Sequence, residues 1–310
     1  MKIIQPQFEI WPQAPGLDGL YRQIERVGRV CYKSEDHCTP TSARPFVERM
    51  LKNRHLAMLE HGTVYLQSPV EHGTKSIDIN SMYARYNDNK FSMVHVHDGV
   101  AHITTNLRVL AENGWMADLK QLCEPTEHHE RRVTVHFTTQ IAITREFNRH
   151  RVDSMAEQST RYCNYSKDKF DNEIAINLPQ FVTALPQGDL AEAVTSGDIN
   201  LTGADLVELA RKVATGEATD IENWLFANAA AERAYMNLVA AGRKPQEARV
   251  VLPLDTNTEL VHTAFVTDWK HFFDLRALGT TGAPHPDAKA LAQPLYERFV
   301  EEGWIAPAKK

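Results

Sequence analysis

The stretch RVTVHFTTQIAITREF, residues 132 to 147, alternates apolar and polar side chains more cleanly than any other part of this chain. Val133, Val135, Phe137, Thr139, Ile141 and Ile143 fall on one face, with His136 and Gln140 on the other, so the spacing predicts a strand with one side in a core. The run leads straight into Arg149-His150-Arg151. That triplet is therefore expected where an ordered strand hands over to a loop or helix.

Around this strand the sequence reads as mixed helix and strand. Leu20, Ile24, Val27 and Val30 recur at three- and four-residue steps and predict an amphipathic helix over 17 to 32, followed by a second over about 43 to 54. LEHGTVYLQ reads as a strand entering the core. SMVHVH-DG-VAHITT reads as a hairpin, because Asp98-Gly99 suits the positive φ of a two-residue type I′ turn. NLRVLAENGW predicts a short helix with a glycine stop. Residues 164 to 200 read as irregular.

Helices are expected over 202 to 215, ended by Gly216, and over 219 to 241, capped by Thr219 or Asp220 and stopped by Gly242. A strand near 258 to 266 leads to a helix containing WKHFFDLRAL. The last helix opens at Pro286 and carries Pro294, which predicts a kink or a new start. No repeat, low-complexity tract or linker divides the chain. The reading is one α+β domain over 1–310, a mixed or antiparallel sheet flanked by helices, with an extended hairpin and helix insertion at about 70–131.

Composition narrows the function. At 310 residues and 35.1 kDa, with 43 % hydrophobic and 24 % charged residues, the chain is ordinary globular protein. Its net charge of −6 opposes general attraction to nucleic acid or anionic membrane. No apolar stretch approaches the roughly 20 residues of a spanning helix, and the N-terminus lacks the apolar core of a signal peptide. Cys31, Cys38, Cys123 and Cys163 form no CxxC pair and read as reduced thiols of a cytoplasmic protein.

Against that acidic background the segment from Arg149 to Tyr162 stands apart. It holds Arg149, Arg151 and Arg161 with His150, interleaved with Glu157, Ser159 and Thr160. Guanidinium forks suit phosphate, and the polar groups can read a sugar or base. The pattern points to a nucleotide or a phosphate-bearing cofactor.

The same segment resembles the signature of flavin-dependent thymidylate synthases, the ThyX type: an Arg-His-Arg triplet, seven residues, then a serine. Here it reads RHR-VDSMAEQ-S from Arg149 to Ser159. RVCYKS near Cys31 and MLEHGT around Glu60-His61 are similar to the family's N-terminal helix and its Leu-Glu-His strand. Residues 245 to 253, PQEARVVLP, resemble its Glu-Ala-Arg-x-x-Leu-Pro element, and FFDLR ending at Arg276 resembles its Leu-Arg motif, with His285 at a following helix start.

The resemblance implies an FAD- and NADPH-dependent enzyme that methylates dUMP to dTMP with methylenetetrahydrofolate as carbon donor. It implies that Arg161 and Arg249 hold the dUMP phosphate and that Ser159 lies beside the ring or phosphate. Glu146 and Glu157 fall near the nucleotide–flavin junction, and Arg149 organises the nucleotide site. Arg276 would approach the N3/O2 edge of uracil, where a fixed cation favours the deprotonated ring. Arg149, His150 and Arg151, with His61, Thr63, Glu157, His271 and His285, would contact FAD. The family's homotetramer with shared active sites is implied as well. Ile221, Trp224, Leu225, Tyr235 and Leu238 on helix 219 to 241 suit either part of that interface or an internal core.

Ser159 and Arg276 are the residues expected to matter most for chemistry. A serine without an adjacent base is a weak nucleophile, so Ser159 is read as a positioning group rather than one that adds to the base. Cys163 is read as a small buried side chain. The chain departs from the family pattern at Glu146, where many members carry glutamine, at the long ALGTTGAP spacer before His285, and at Phe265 and Thr267.

Two rivals come from other classes. His95, His97 and His102 superficially match the ligand spacing of a metal-dependent hydrolase, although Asp98-Gly99 fits a turn better. A nucleotide- or RNA-binding module would use the same arginines, and the net charge and the lack of an aromatic-interleaved basic face oppose it.

Overall fold

The structure is a computed structural model that describes residues 1–70, 81–185, 189–197, 199 and 201–308. Residues 71–80 of the expected insertion, and 186–188, 198 and 200 of the expected irregular stretch, lie outside the described residues.

The chain opens with β1 (Lys2–Ile4) and β2 (Gln7–Ile10), then α1 (Gly16–Val30) and α2 (Ala43–Lys52). On α1 the stripe Leu20, Ile24, Val27 and Val30 is buried, as its periodicity requires. Each such side chain contributes about 1.5–3 kcal/mol. Leu59, Glu60 and His61, expected in a strand, instead end a 3₁₀ turn, Leu56–His61. The cause is local: α1 packs flat on Gly62, where a Cβ would lie 2.6 Å from Ile24. The strand β3 (Thr63–Pro69) starts only past that contact.

After α3 (Met82–Asn87) come β4 (Met93–His97), β5 (Val100–Asn106) and α4 (Leu107–Asn113). β3, β5 and β4 form an antiparallel sheet in that order. Asp98 and Gly99 have φ of 47° and 74° and make the hairpin turn anticipated from their identity. Gly114, at φ 73°, ends α4.

β6 spans Arg132–Gln140 and stops there; α5 (Ile141–Phe147) follows at once. The single long strand expected over 132 to 147 is thus a strand and a helix. Its antiparallel partner begins at Asn257, opposite Gln140, so Ile141 onward has no ladder to join. Instead the Ile141 and Ala142 amides donate to the Thr256 and Leu254 carbonyls at 3.1 Å each and launch the helix. Ile143 and Phe147, four apart, turn into the core.

β7 (Ser154–Glu157), β8 (Ala175–Asn177), α6 (Gln180–Thr183), α7 (Asp189–Ser196), α8 (Gly203–Thr215), α9 (Asp220–Ala240) and α10 (Pro245–Ala248) lead to β9 (Asn257–Phe265). Capping boxes start α8 at Thr202 and α9 at Thr219, each cap contributing about 1 kcal/mol. α11 (Val266–Phe273) runs into a wide π turn, Asp274–Leu278, before α12 (Pro286–Glu301). No second helix starts at Pro294. Leu291, Ala292, Leu295 and Phe299 are buried along α12, and that packing outweighs the lost hydrogen bond.

The central sheet is antiparallel, β2-β6-β9-β7, while β1 and β8 pair in parallel apart from it. Helices flank these sheets, the α+β arrangement expected. One core joins β6 and β9 to α5, α11 and α12; another lies between α1, α2 and the β3–β5–β4 sheet. A third takes Ile221, Trp224, Leu225 and Tyr235 of α9 against β1 and β8, with Leu238 packed on it. In this structure those residues of α9 form an internal core.

Candidate active site

Arg149-His150-Arg151 occupies the turn between α5 and β7, with both arginines exposed and His150 buried. The turn is held from both sides. Before it, Arg276 on the π turn donates from Nη1 to Glu146 Oε2 at 2.7 Å and from Nη2 to the Glu146 carbonyl at 2.8 Å. Behind it, the Asp153 carboxylate meets His262 Nε2 at 2.7 Å. In the middle, the His150 ring packs on Phe272 at 5.1 Å and on His271 at 5.6 Å. Burial, with the nearby His262, pushes the His150 imidazole down to about 4, so the ring is neutral near pH 7.

A cavity of about 550 Å³ opens at the end of β7, lined by Arg145, Glu157, Ser159, Thr160, Arg249 and Leu254 among others, but not by Arg149, Arg151, Arg161 or Arg276. Three segments meet here: α5, the end of β7 with the loop after it, and the turn after α10. Arg249 reaches Thr160 Oγ1 at 3.3 Å, and Arg161 reaches Gln246 at 3.3 Å. Glu157 accepts from Thr144 at 2.7 Å and from Asn148 at 3.0 Å, which fixes its carboxylate on the wall. Ser159 Oγ accepts the Arg161 amide at 3.3 Å, and no base is hydrogen-bonded to it among the described residues. Arg145, Arg149, Arg151, Arg161 and Arg249 form no ion pair among the described residues. Of these only Arg145 and Arg249 line the cavity, and two uncompensated guanidiniums at one opening suit an anion.

Arg145 went unremarked in the sequence because the stretch 141 to 147 reads as strand. On a helix it shares the end of α5 with Glu146 and faces the cavity. Cys31, whose carbonyl accepts the Ser159 amide at 3.0 Å, lines a second cavity of about 1000 Å³ walled by Phe46, Arg49, Met58 and Arg108. Burial raises the Cys31 thiol to about 11 and also raises that of the enclosed Cys163.

The remaining residues expected at a flavin divide into buried and exposed ones. His61 is fully enclosed, with Nδ1 on Thr263 Oγ1 at 2.8 Å; burial, then the Arg132 charge, lowers it to about 3. Thr63 is buried and accepts from Arg132 at 3.3 Å. His271 is exposed, and His285 caps α12 by accepting the Asp287 amide at 3.2 Å. Phe265 is buried at the end of β9, and Thr267 is exposed. Of the residues expected at a flavin, Arg149, Arg151, His271 and His285 are thus exposed, whereas His61 and Thr63 face inward.

His95 and His97 stand exposed on the β4–β5 hairpin, His97 stacked on His128 at 3.9 Å, while His102 is buried beside Gln67 and Thr126. Among the described residues no group of three or more His, Cys, Asp or Glu side chains is placed to hold a metal ion. Nor is any helix among them long and apolar enough to cross a membrane.

The model of the family described as thymidylate synthase complementing protein matches residues 113–303, more than half of the chain. The chain belongs to the thymidylate synthase complementing protein family. The matched span holds both walls of the 550 Å³ cavity and the turn with its two clamps, whereas His61 and Thr63 precede it. A search of curated proteins finds no match. Among solved structures, two of the UMP/dUMP methylase PolB from Streptomyces cacaoi are similar at 16 % identity and TM-score 0.40. The one bound with 5-Br dUMP aligns over 99 % of this chain and 100 % of that chain, the one bound with 5-Br UMP over 97 % and 92 %.

Proposed function

We propose that this member of the thymidylate synthase complementing protein family is a flavin-dependent thymidylate synthase, converting dUMP to dTMP with methylenetetrahydrofolate as carbon donor and NADPH-reduced FAD as hydride source. The observation that carries the reading is the pair of guanidiniums without carboxylate partners, Arg145 and Arg249, on the Ser159 cavity, in a chain of net charge −6.

In this reading Arg161 and Arg249, joined by Arg145, bind the dUMP phosphate through charge-assisted forks. Ser159 donates a hydrogen bond to the nucleotide and orients it. Glu157, already fixed by Thr144 and Asn148, accepts from the base or sugar. Arg276, steadied by Glu146, is the fixed cation that favours negative charge on the pyrimidine and so raises electron density at C5.

Arg149, Arg151 and His271 would hold the phosphates of FAD, Arg149 also organising the dUMP site, with His150 supporting the turn from behind. Bound flavin, reduced by NADPH, supplies the hydride that completes the methyl group. His61 and Thr63 would act through the sheet rather than by touch, and His285 through the start of α12. The reading includes a single catalytic unit, a cytoplasmic homotetramer with shared sites, and no nucleic-acid or membrane partner. Val152 and Val250, 69 % and 78 % exposed, flank the site and suit contact with a second copy.

The deciding experiment is tritium release from 5-tritiated dUMP with NADPH and methylenetetrahydrofolate. Release by a yellow, flavin-absorbing protein is expected. A folded, flavin-loaded protein that releases none sinks the reading.

A further inference from the structure

The turn that carries Arg149 and Arg151 is anchored by a pair that the reaction itself does not call for. Asp153 and His262 meet at 2.7 Å with side chains 1 % and 0 % exposed. The other polar atom of each, Asp153 Oδ1 and His262 Nδ1, is buried without a hydrogen-bond partner among the described residues. Each group therefore makes its one side-chain hydrogen bond to the other. His262 cannot follow a moving turn: it lies mid-strand in β9, opposite Val135 and Met155, and stacks on Trp269 at 4.0 Å. Asp153 closes the turn, its amide donating to the His150 carbonyl at 3.2 Å. At the other end the Arg149 amide and Arg276 share the Glu146 carbonyl.

Resting on the reading above, we propose that Asp153 and His262 are a buried positioning pair, fixing where Arg149 and Arg151 meet the anionic ligand. Two clamps define the ends of a short turn. Releasing the one behind leaves the arginines charged and exposed, but no longer aimed. A buried carboxylate deprived of its partner is also strongly disfavoured, so the pair makes other conformations of the turn costly. Asp153 is a positioning residue because it reaches the ligand only through the turn.

The test measures dUMP affinity calorimetrically on the full flavin-loaded protein. Asp153→Ala is expected to weaken dUMP binding at least about tenfold, a loss equivalent to about 1.4 kcal/mol. Asp153→Asn, which can still accept from His262, should recover part of it. Arg149→Gln should weaken binding in the parent but add less than about twofold in the Asp153→Ala background, since sites acting through one another are not additive. A pair that merely stabilises the fold would lower the melting temperature and leave that coupling at zero.

If Asp153→Ala does not fold, Asp153→Asn and His262→Gln carry the same comparison. Faster hydrogen exchange of the 149–153 amides is expected in both. Folded variants that bind dUMP like the parent, or multiplicative losses in the double variant, overturn the pair alone. A parent that binds no dUMP overturns the functional reading on which the pair rests.

Discussion

The guanidinium of Arg276 spans the side chain and the main-chain carbonyl of Glu146, at 2.7 and 2.8 Å, and so ties the π turn after α11 to the last turn of α5. A lysine could keep the charge and one of these bonds, not both. Glu146, 130 positions away, reads as a departure from the family's glutamine, and here its carboxylate gives Arg276 a counter-ion.

Arg276→Lys should therefore cut dTMP formation by about 10- to 100-fold, the worth of one charge-assisted hydrogen bond of about 1.5–3 kcal/mol. Flavin content, read from the visible absorbance per protein, should stay within about twofold. Equal loss of both would remove Arg276 from its assigned role.

Ser159→Ala should leave measurable turnover. The hydroxyl has no adjacent base, and its loss removes one neutral hydrogen bond of about 0.5–1.5 kcal/mol. A folded variant with no turnover at all would make Ser159 a nucleophile.

Cys163→Ala should be tolerated. The thiol is fully buried and its pKa is raised by that burial, so little thiolate exists near pH 7. Intact-mass spectrometry of the parent with dUMP should show no adduct; a covalent Cys163–dUMP species would overturn this.

Arg145→Ala and Arg249→Ala should each weaken dUMP binding by about tenfold and flatten its dependence on salt, because each removes a cation from the same opening. Titrations at two ionic strengths decide this. An Arg145→Ala protein indistinguishable from the parent would take Arg145 out of the site.

Folding stability should decline as pH falls below about 6.5. His61 takes up a proton near 6.5 when unfolded but only near 3 when folded, so between those values the unfolded chain binds more protons. His61 alone then contributes a slope of up to about 1.4 kcal/mol per pH unit, lost progressively toward pH 3. Denaturant melts from pH 7 to pH 4 measure it, and His61→Gln should reduce the slope.

Features decided by neighbouring residues were legible in the sequence. The Asp98-Gly99 turn, the Thr219 cap and the α1 stripe each depend on a few adjacent positions, and each stands as its local chemistry requires. What depends on distant partners was not. Alternation continues through Ile141 and Ile143, yet the strand ends where β9 stops offering a ladder, and that limit is set 117 positions after Gln140 at Asn257. His61 carries no local mark of the Thr263 contact that encloses it. The cluster of cations was readable as a composition anomaly. Which of them face the cavity depends on α5 being a helix, and a strand over 141 to 147 gives Arg145 no such place.

The π turn at Asp274–Leu278 carries one more residue than an α turn would need. Excising a single residue there, Ala277 for instance, would let the segment wind as ordinary helix with its flanks near their present places. The core that includes Leu291 and Phe299 would stand, while the widened turn that brings Arg276 to Glu146 would be lost. A one-codon deletion in this wide turn is thus expected to cost turnover more than folding.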